Sequence, residues 1–104
     1  MKGFGNLLKE AQKLQAQLEA MREEVAKRKV EASAGGGMVV VEANGNQELV
    51  SIKIDREVIN PEDPQMLEDL VLAASNEALR KARDLVQAEM GKVAGGLKIP
   101  GLNA

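Results

Sequence analysis

Apolar residues in the first third of the chain recur at alternating intervals of three and four positions. They are Phe4, Leu7, Ala11, Leu14, Leu18, Met21 and Val25. This is the a and d pattern of a helix that packs along one narrow strip, which we call the seam. It predicts a helix over residues 4–28, about 37 Å long at 1.5 Å per residue. The rest of so small a chain cannot cover that length, so part of the helix should project or contact a partner.

From Val30 to Asp55 the apolar period changes to two and β-branched residues dominate, which predicts strands. The alternating residues are Val30, Ala32 and Ala34, then Val39, Val41 and Ala43, then Val50, Ile52 and Ile54. Asn44-Gly45 predicts a hairpin between the last two strands, because a type I′ turn needs positive φ at both central residues. A loop of two or four residues gives the same alternation of faces. We expect a three-stranded antiparallel meander whose apolar face is shared by Val39, Val41, Val50, Ile52 and Ile54.

Three consecutive glycines, Gly35 to Gly37, raise the question of a phosphate-binding loop. A P-loop continues through Lys and Ser or Thr into a helix, whereas Gly37 is followed by Met38 and a strand. The dinucleotide fingerprint also fails, because the sixth position from Gly35 is Val40. We interpret the glycines as the turn between the first two strands, where glycine tolerates positive φ.

A second helix is predicted to begin at Asp63-Pro64, a good N-cap followed by a good first helical residue. It should continue to about Met90 and stop at Gly91 or at Gly95-Gly96. Its apolar side is broad and rich in alanine, which favours close packing against the sheet or a partner. That side contains Leu67, Leu70, Val71, Ala74, Ala78, Leu79, Ala82, Leu85 and Val86.

The fold class is therefore α+β, with a single α-β-β-β-α domain over residues 1–94. Residues 95–104 are predicted to form a flexible tail that contains glycine and proline. The chain has 104 residues and one aromatic side chain, Phe4. A small core of aliphatic residues is often completed by oligomerisation. The N-terminus lacks a signal peptide and no segment is apolar enough to span a membrane, so we expect a cytoplasmic protein.

Catalytic chemistry has little support in this composition, because the chain contains neither Cys nor His. Thiolate nucleophiles, soft metal sites and imidazole bases are thereby excluded. Adjacent carboxylates such as Glu68 and Asp69 point about 100° apart on a helix and do not converge on one substrate atom. No histidine can activate the serines Ser33, Ser51 and Ser75. We expect no enzyme, no metal, no cofactor and no small-molecule substrate.

Charge is unevenly distributed along a chain whose net charge is −2. Residues 1–30 contain seven basic and four acidic residues, whereas residues 31–63 contain two basic and seven acidic residues. The lysines of the first helix point away from the seam, and two further basic clusters are Lys27 to Lys29 and Arg80 to Arg83. An ordinary solvated surface also explains these charges. With so few aromatic residues, any nucleic acid should be contacted at duplex phosphates.

The order and spacing of four segments resemble the YbaB/EbfC family of bacterial nucleoid-associated DNA-binding proteins over nearly the whole chain. The segments are LLKEAQKLQAQL, SAGGGMVVVEANG, LVSIKID and DPQMLEDLVLAASNEALRKA, followed by a tail ending in IPGL. The resemblance implies a helix, three strands and a helix, assembled as a homodimer from which long helices project like tweezers. It also implies binding to double-stranded DNA, with a role in nucleoid organisation or gene regulation.

Two sets of site residues follow. The expected phosphate contacts are Lys9, Lys13, Arg22, Lys27, Arg28, Lys29, Arg80, Lys81 and Arg83. The expected core or dimer interface is Val39, Val41, Val50, Ile52, Ile54, Leu67, Val71 and Ala74. An alternative is a prefoldin-like helical clamp or adaptor that binds other proteins, in which the seam would pair with the second helix of the same chain. The broad alanine-rich side of that helix favours packing on a sheet instead.

Overall fold

The computed structural model describes residues 2–96 and contains the predicted helix, three strands and helix. The elements are α1 (Lys2–Ala26), β1 (Lys29–Ala34), β2 (Val39–Asn44), β3 (Leu49–Ile54), a 3-10 turn (Arg56–Val58) and α2 (Pro64–Gly95). The α+β class is thus confirmed. Helix α2 ends at the second of the two predicted stops. Residues 97–104 of the predicted tail lie outside the described residues.

Helix α1 ends at Ala26, two residues before the predicted boundary. The amides of Lys27 and Arg28 donate hydrogen bonds to the carbonyls of Glu24 and Val25, at 3.1 and 3.0 Å. Both bonds span three residues, so they tighten the last turn and end the helix. The chain then enters β1 at Lys29.

The three strands form one antiparallel sheet in the order β1-β2-β3. Gly35, Gly36 and Gly37 have φ values of +64°, +66° and +95°, which confirms that they form the turn between β1 and β2. In the β2–β3 ladder, Val39 lies opposite Ile54 and Val41 opposite Ile52. Opposed residues share a face, so these four side chains lie on the same side of the sheet, as predicted.

The hairpin between β2 and β3 is confirmed, but its predicted turn type is wrong. Neither Asn44 nor Gly45 has positive φ, and the non-glycine residue that does, among those described, is Gln47 at 61°. Instead the side-chain oxygen of Asn44 accepts hydrogen bonds from the amides of Asn46 and Glu48, at 2.9 and 3.2 Å. The loop spans the four residues 45–48 and is organised by one asparagine side chain, so it is the longer of the two predicted lengths.

The longer loop also alters the register at its end. The ladder shifts between Glu42 and Ala43, so Ala43 lies opposite Leu49. Val50 consequently lies at a β-bulge rather than in the regular alternation that the sequence predicts.

Helix α2 packs across the sheet through alanines spaced four residues apart. Ala74, Ala78 and Ala82 are fully buried, as are Val39 and Val41 beneath them in the same core cluster. Small side chains allow the helix to approach the sheet closely, so the alanine-rich face is explained by sheet packing. At its start, Asp63 accepts a hydrogen bond from the amide of Met66 at 3.3 Å, which confirms the predicted N-cap.

The helix covers β1 and β2 but leaves β3 largely open. Ile52 and Ile54 lie opposite fully buried valines, yet 46% and 37% of their surfaces are exposed. Val50 and Leu49 on the same strand are also exposed. The third strand therefore presents an apolar surface that this chain alone does not cover.

The molecule is elongated because α1 extends past the rest of the fold. Its Cα radius of gyration is 20.3 Å and its extents are 73 × 27 × 16 Å. A compact domain of this length has a radius of gyration of about 13 Å. Within the described part of the chain, neither helix is long and apolar enough to cross a membrane.

Candidate functional site

The nine predicted phosphate contacts fall into three groups on the surface. The α1 group is Lys9, Lys13 and Arg22, the junction group where α1 meets β1 is Lys27, Arg28 and Lys29, and the α2 group is Arg80, Lys81 and Arg83. All nine are exposed, but they differ in whether an acidic or carbonyl partner within the chain already holds them.

The α1 group lies on the exposed outer surface of α1. Of the ion pairs within residues 2–96, none includes Lys9, Lys13 or Arg22. The helix rises 1.5 Å per residue, so Lys9 lies about 20 Å along the axis from Arg22. That length corresponds to about six base pairs of duplex DNA. The glutamates Glu10, Glu19 and Glu23 are interspersed along the same helix.

The junction group is joined to the end of α2 by a shared carboxylate. Glu89 Oε1 accepts a hydrogen bond from Arg28 Nη1 at 3.0 Å and another from Lys92 Nζ at 3.0 Å. These bonds, first from Lys92 and then from Arg28, hold the pKa of the Glu89 carboxyl below its ordinary value. Lys27 and Lys29 form no ion pair with any described residue.

Arg80 is held between two carboxylates of its own helix. Its Nε donates to Glu77 Oε2 at 3.0 Å, its Nη2 pairs with Glu77 Oε1, and its Nη1 donates to Asp84 Oδ2 at 3.0 Å. The hydrogen bond from Arg80 lowers the pKa of Glu77, and the same bond raises the pKa of Arg80. The positive charge of Arg80 is therefore largely compensated within the helix. Arg83, one turn along, has no such pair among the described residues.

Lys81 connects α2 to the sheet. Its Nζ donates a hydrogen bond to the backbone carbonyl of Glu31 in β1 at 2.8 Å. Because Glu31 lies two residues after Lys29, this bond brings the α2 group close to the junction group. The Arg28–Glu89 pair joins the junction group to α2 at a second point, further along the helix. The structure thus assembles two of the three predicted groups and leaves the third along the projecting helix.

The sequence reasoning missed the Glu89–Lys92 component of this surface. Their spacing of three residues on a predicted helix was a signal for an ion pair. The ion pair of Arg28 with Glu89 crosses 61 positions of the chain, and no local pattern predicts it.

The open surfaces near these residues are shallow grooves between or beside the helices. One, of about 400 Å³, lies between Met21 and Glu24 of α1 and Glu89 and Val93 of α2. Another, of about 310 Å³, lies along α1 from Ala11 to Arg22. Across residues 2–96, no three acidic, histidine or cysteine side chains are placed to hold a metal ion.

The predicted core or dimer interface divides into two sets. Val39, Val41 and Ala74 are fully buried, and Leu67 and Val71 are half-buried against the same core. The remaining three residues, Val50, Ile52 and Ile54, are exposed on β3. This second set is the more accessible to another molecule.

The chain is similar to known proteins over nearly its whole length. The sequence model of the YbaB/EbfC DNA-binding family matches residues 1–97. A nucleoid-associated protein of Syntrophobacter fumaroxidans is 54% identical over 101 residues, covering 97% of this chain and 91% of the relative. One from Thermodesulfovibrio yellowstonii is 56% identical over 101 residues, covering 97% and 89%.

A solved structure has the same fold. The crystal structure of an uncharacterized protein from Helicobacter pylori superposes with a TM-score of 0.68 at 26% sequence identity. The match covers 90% of this chain and 96% of that chain.

Proposed function

The chain belongs to the YbaB/EbfC DNA-binding family, and from this premise we propose that it is a non-enzymatic nucleoid-associated protein that binds duplex DNA as a homodimer. Its contacts are mainly with phosphates. Its role is nucleoid organisation or gene regulation, and it acts in the cytoplasm on the nucleoid.

The observation that supports this proposal most directly is that six of the nine predicted contacts have neither an ion pair nor a hydrogen-bonded carbonyl among residues 2–96. They are Lys9, Lys13, Arg22, Lys27, Lys29 and Arg83. An exposed cation with no partner gains most from a phosphate, because no internal pair has to break first. Lys9, Lys13 and Arg22 follow one another along α1, as contacts to successive phosphates of a duplex backbone would. This local arrangement of positive charge supports phosphate contacts although the net charge of the chain is −2.

The scarcity of aromatic side chains favours duplex over single-stranded DNA as the ligand. Sequence-tolerant binding of single strands uses aromatic side chains on which bases stack. Phe4 is the one aromatic residue of the chain. Binding that relies on phosphates also predicts little discrimination between DNA sequences.

The homodimer is supported by the exposed apolar surface of β3. Ile52 and Ile54 share a face with the buried core, and α2 ends its coverage before reaching them. A second copy placed against β3 would extend the core across the boundary between the two chains. On β1, the other edge strand, α2 already lies against the sheet and Lys81 binds the Glu31 carbonyl.

The test is a fluorescence anisotropy titration of a labelled duplex of about 30 base pairs at several salt concentrations. We expect saturable binding whose affinity falls steeply with salt. Lys13→Glu should lower both the affinity and the salt slope. Lys53→Glu, which changes the net charge equally at an exposed position of β3, is the matched control and should change neither.

The clamp alternative requires the seam to pair along its length with α2. Met21 and Val25 are buried, but Phe4 and Leu7 at the other end of the seam are exposed. The fold therefore favours the DNA-binding proposal. Absence of binding to the duplex at low salt would reverse that preference and direct the search to protein clients.

A further inference from the structure

The projecting part of α1, residues 2–16, which we call the arm, exposes apolar side chains as well as lysines. Phe4 and Leu7 are 70% and 69% exposed, and Leu8 is also exposed. Phe4 and Leu7 belong to the same seam that is buried further along at Met21 and Val25. The seam is therefore covered by the chain at one end only, and its other end is an exposed apolar strip that could pack against another helix.

We propose that the arm seam contacts the arm of a second dimer when both are bound to the same DNA, so that neighbouring dimers bind cooperatively. This inference rests on the proposed function, because DNA brings the two arms together. A heptad seam is self-complementary, since equivalent knobs and holes are present on both copies. The positions that flank the seam within the arm are Gly3, Leu8, Glu10 and Gln15, so one charged side chain of each copy lies directly beside the contact.

The size of the surface explains why the contact should depend on DNA. Each arm exposes three large apolar side chains, Phe4, Leu7 and Leu8, so a pair of arms can bury at most six of them. Stable protein interfaces bury about 1,200 Å² or more, with about 20–30 residues on each side. The contact is therefore too small to hold dimers together in dilute solution, but sufficient at the millimolar effective concentrations of neighbours on one duplex.

The charge of the arm also makes the contact between two arms depend on DNA. Lys9 and Lys13 are exposed on the arm, and Glu10 is the one acidic residue near them. Two free arms repel each other through these lysines. Phosphates of a bound duplex neutralise them, which removes the repulsion when the arms become neighbours.

The first test compares Leu7→Gln with Leu72→Gln on two DNA lengths. Leu72 is a matched control, because it is also an exposed helical leucine, 61% accessible, but lies on α2. On a duplex of several hundred base pairs the unaltered chain should give a Hill coefficient of about 2, falling to about 1 in Leu7→Gln. On a duplex that holds one dimer, neither variant should change affinity.

Three results would overturn the inference. They are a non-cooperative unaltered chain, a Leu7→Gln variant that stays cooperative, and a Leu7→Gln variant that loses the same affinity on both lengths. Failure of the unaltered chain to bind the short duplex is a different result, because it refutes the proposed function itself.

The second test identifies the occupant of the seam. The chain has no cysteine, so Ala11→Cys places a unique thiol on the seam, and Ala16→Cys places one on the opposite side of the arm. With a short bismaleimide, Ala11→Cys should give two-copy products on long DNA, in amounts several-fold above those without DNA and above Ala16→Cys. Equal yields without DNA would assign the seam to the resting dimer. Absence of two-copy products on DNA would assign it to another occupant, and either result overturns the inference.

Discussion

The amide of Gly45 donates a hydrogen bond to the carbonyl of Val25 at 3.1 Å, which joins the β2–β3 hairpin to the last turn of α1. Both residues are buried. A Cβ at position 45 would fall on the Val25 carbonyl group, far inside van der Waals contact. Glycine is needed here for space rather than for positive φ, and the hydrogen bond sets where the long helix leaves the sheet.

Gly45→Ala should therefore lower the free energy of unfolding by about 2 kcal/mol, as overpacking of a rigid site does. Backbone atoms form the obstacle, so no side chain can move aside. Gly91→Ala is the control, because a Cβ there meets nothing within 4 Å and helix propensity predicts a gain of about 0.5–1 kcal/mol. Urea unfolding followed by circular dichroism measures both. Equal stability of Gly45→Ala and the unaltered chain would contradict the close approach of these two backbones.

Arg80 and Arg83 should differ in their effect on DNA binding although they lie on the same helix. Arg83→Gln should reduce the slope of log affinity against log salt by about 0.9 for each phosphate that the arginine neutralises. Arg80→Gln should change the slope much less, because Glu77 and Asp84 already hold the guanidinium. Salt-dependent anisotropy titrations measure the two slopes. A larger effect of Arg80→Gln would mean that its ion pairs open on binding.

Ile52→Gln should convert the proposed dimer into single chains. The substitution places a polar amide in the apolar β3 surface without disturbing the buried valine opposite it. Light scattering at micromolar concentration should read twice the 11.1 kDa chain mass for the unaltered protein and the single mass for the variant. Lys53→Gln, on the other face of the same strand, should remain dimeric. A single-chain mass for the unaltered protein would refute the dimer.

Acidification should weaken the junction between α1 and α2 through Glu89. Its folded-state pKa is lowered by Lys92 and Arg28, so its ion pairs stabilise the fold above the ordinary glutamate pKa. That stability is lost as pH falls through the lower folded-state value. Urea midpoints at neutral pH should therefore be higher for the unaltered chain than for Glu89→Gln, and the difference should vanish in acid.

Glu68→Gln serves as the control for this pH series. Glu68 is an exposed glutamate on α2 without an ion pair among the residues described. Its substitution should leave the urea midpoint nearly unchanged at both pH values. A pH-independent difference between the unaltered chain and Glu89→Gln would contradict the role of the Glu89 ion pairs.

Local patterns predicted most of the elements because each element agrees with its own sequence. The three-four spacing from Phe4 to Val25 predicted α1, period two predicted the strands, and Asp63-Pro64 predicted the start of α2. The predicted type I′ turn at Asn44-Gly45 was wrong, because position 45 requires glycine for a different reason. The distant Val25 carbonyl leaves no room there for a Cβ. The bulge that displaces Val50 follows from the same loop.

The sequence was enough to choose the nine basic residues that we propose as phosphate contacts, from heptad positions on the first helix and from clustering elsewhere. It did not show which of them are paired within the chain. Their partners depend on tertiary structure, since Glu89 reaches Arg28 across the fold and Lys81 reaches a carbonyl of β1. The sequence also did not show that β3 is the exposed strand, because Ile52 and Val41 both occupy alternating apolar positions and only Val41 is buried.

The sequence by itself determined the order of elements, the polarity of each face and the absence of cysteine and histidine chemistry, because these depend on residue type and near neighbours. Only the tertiary structure decided which apolar surfaces are covered and which charges are paired. One helix of finite width covers two strands and not three, and the arm of α1 extends past the end of α2. What remains exposed is therefore set by the dimensions of the packed elements.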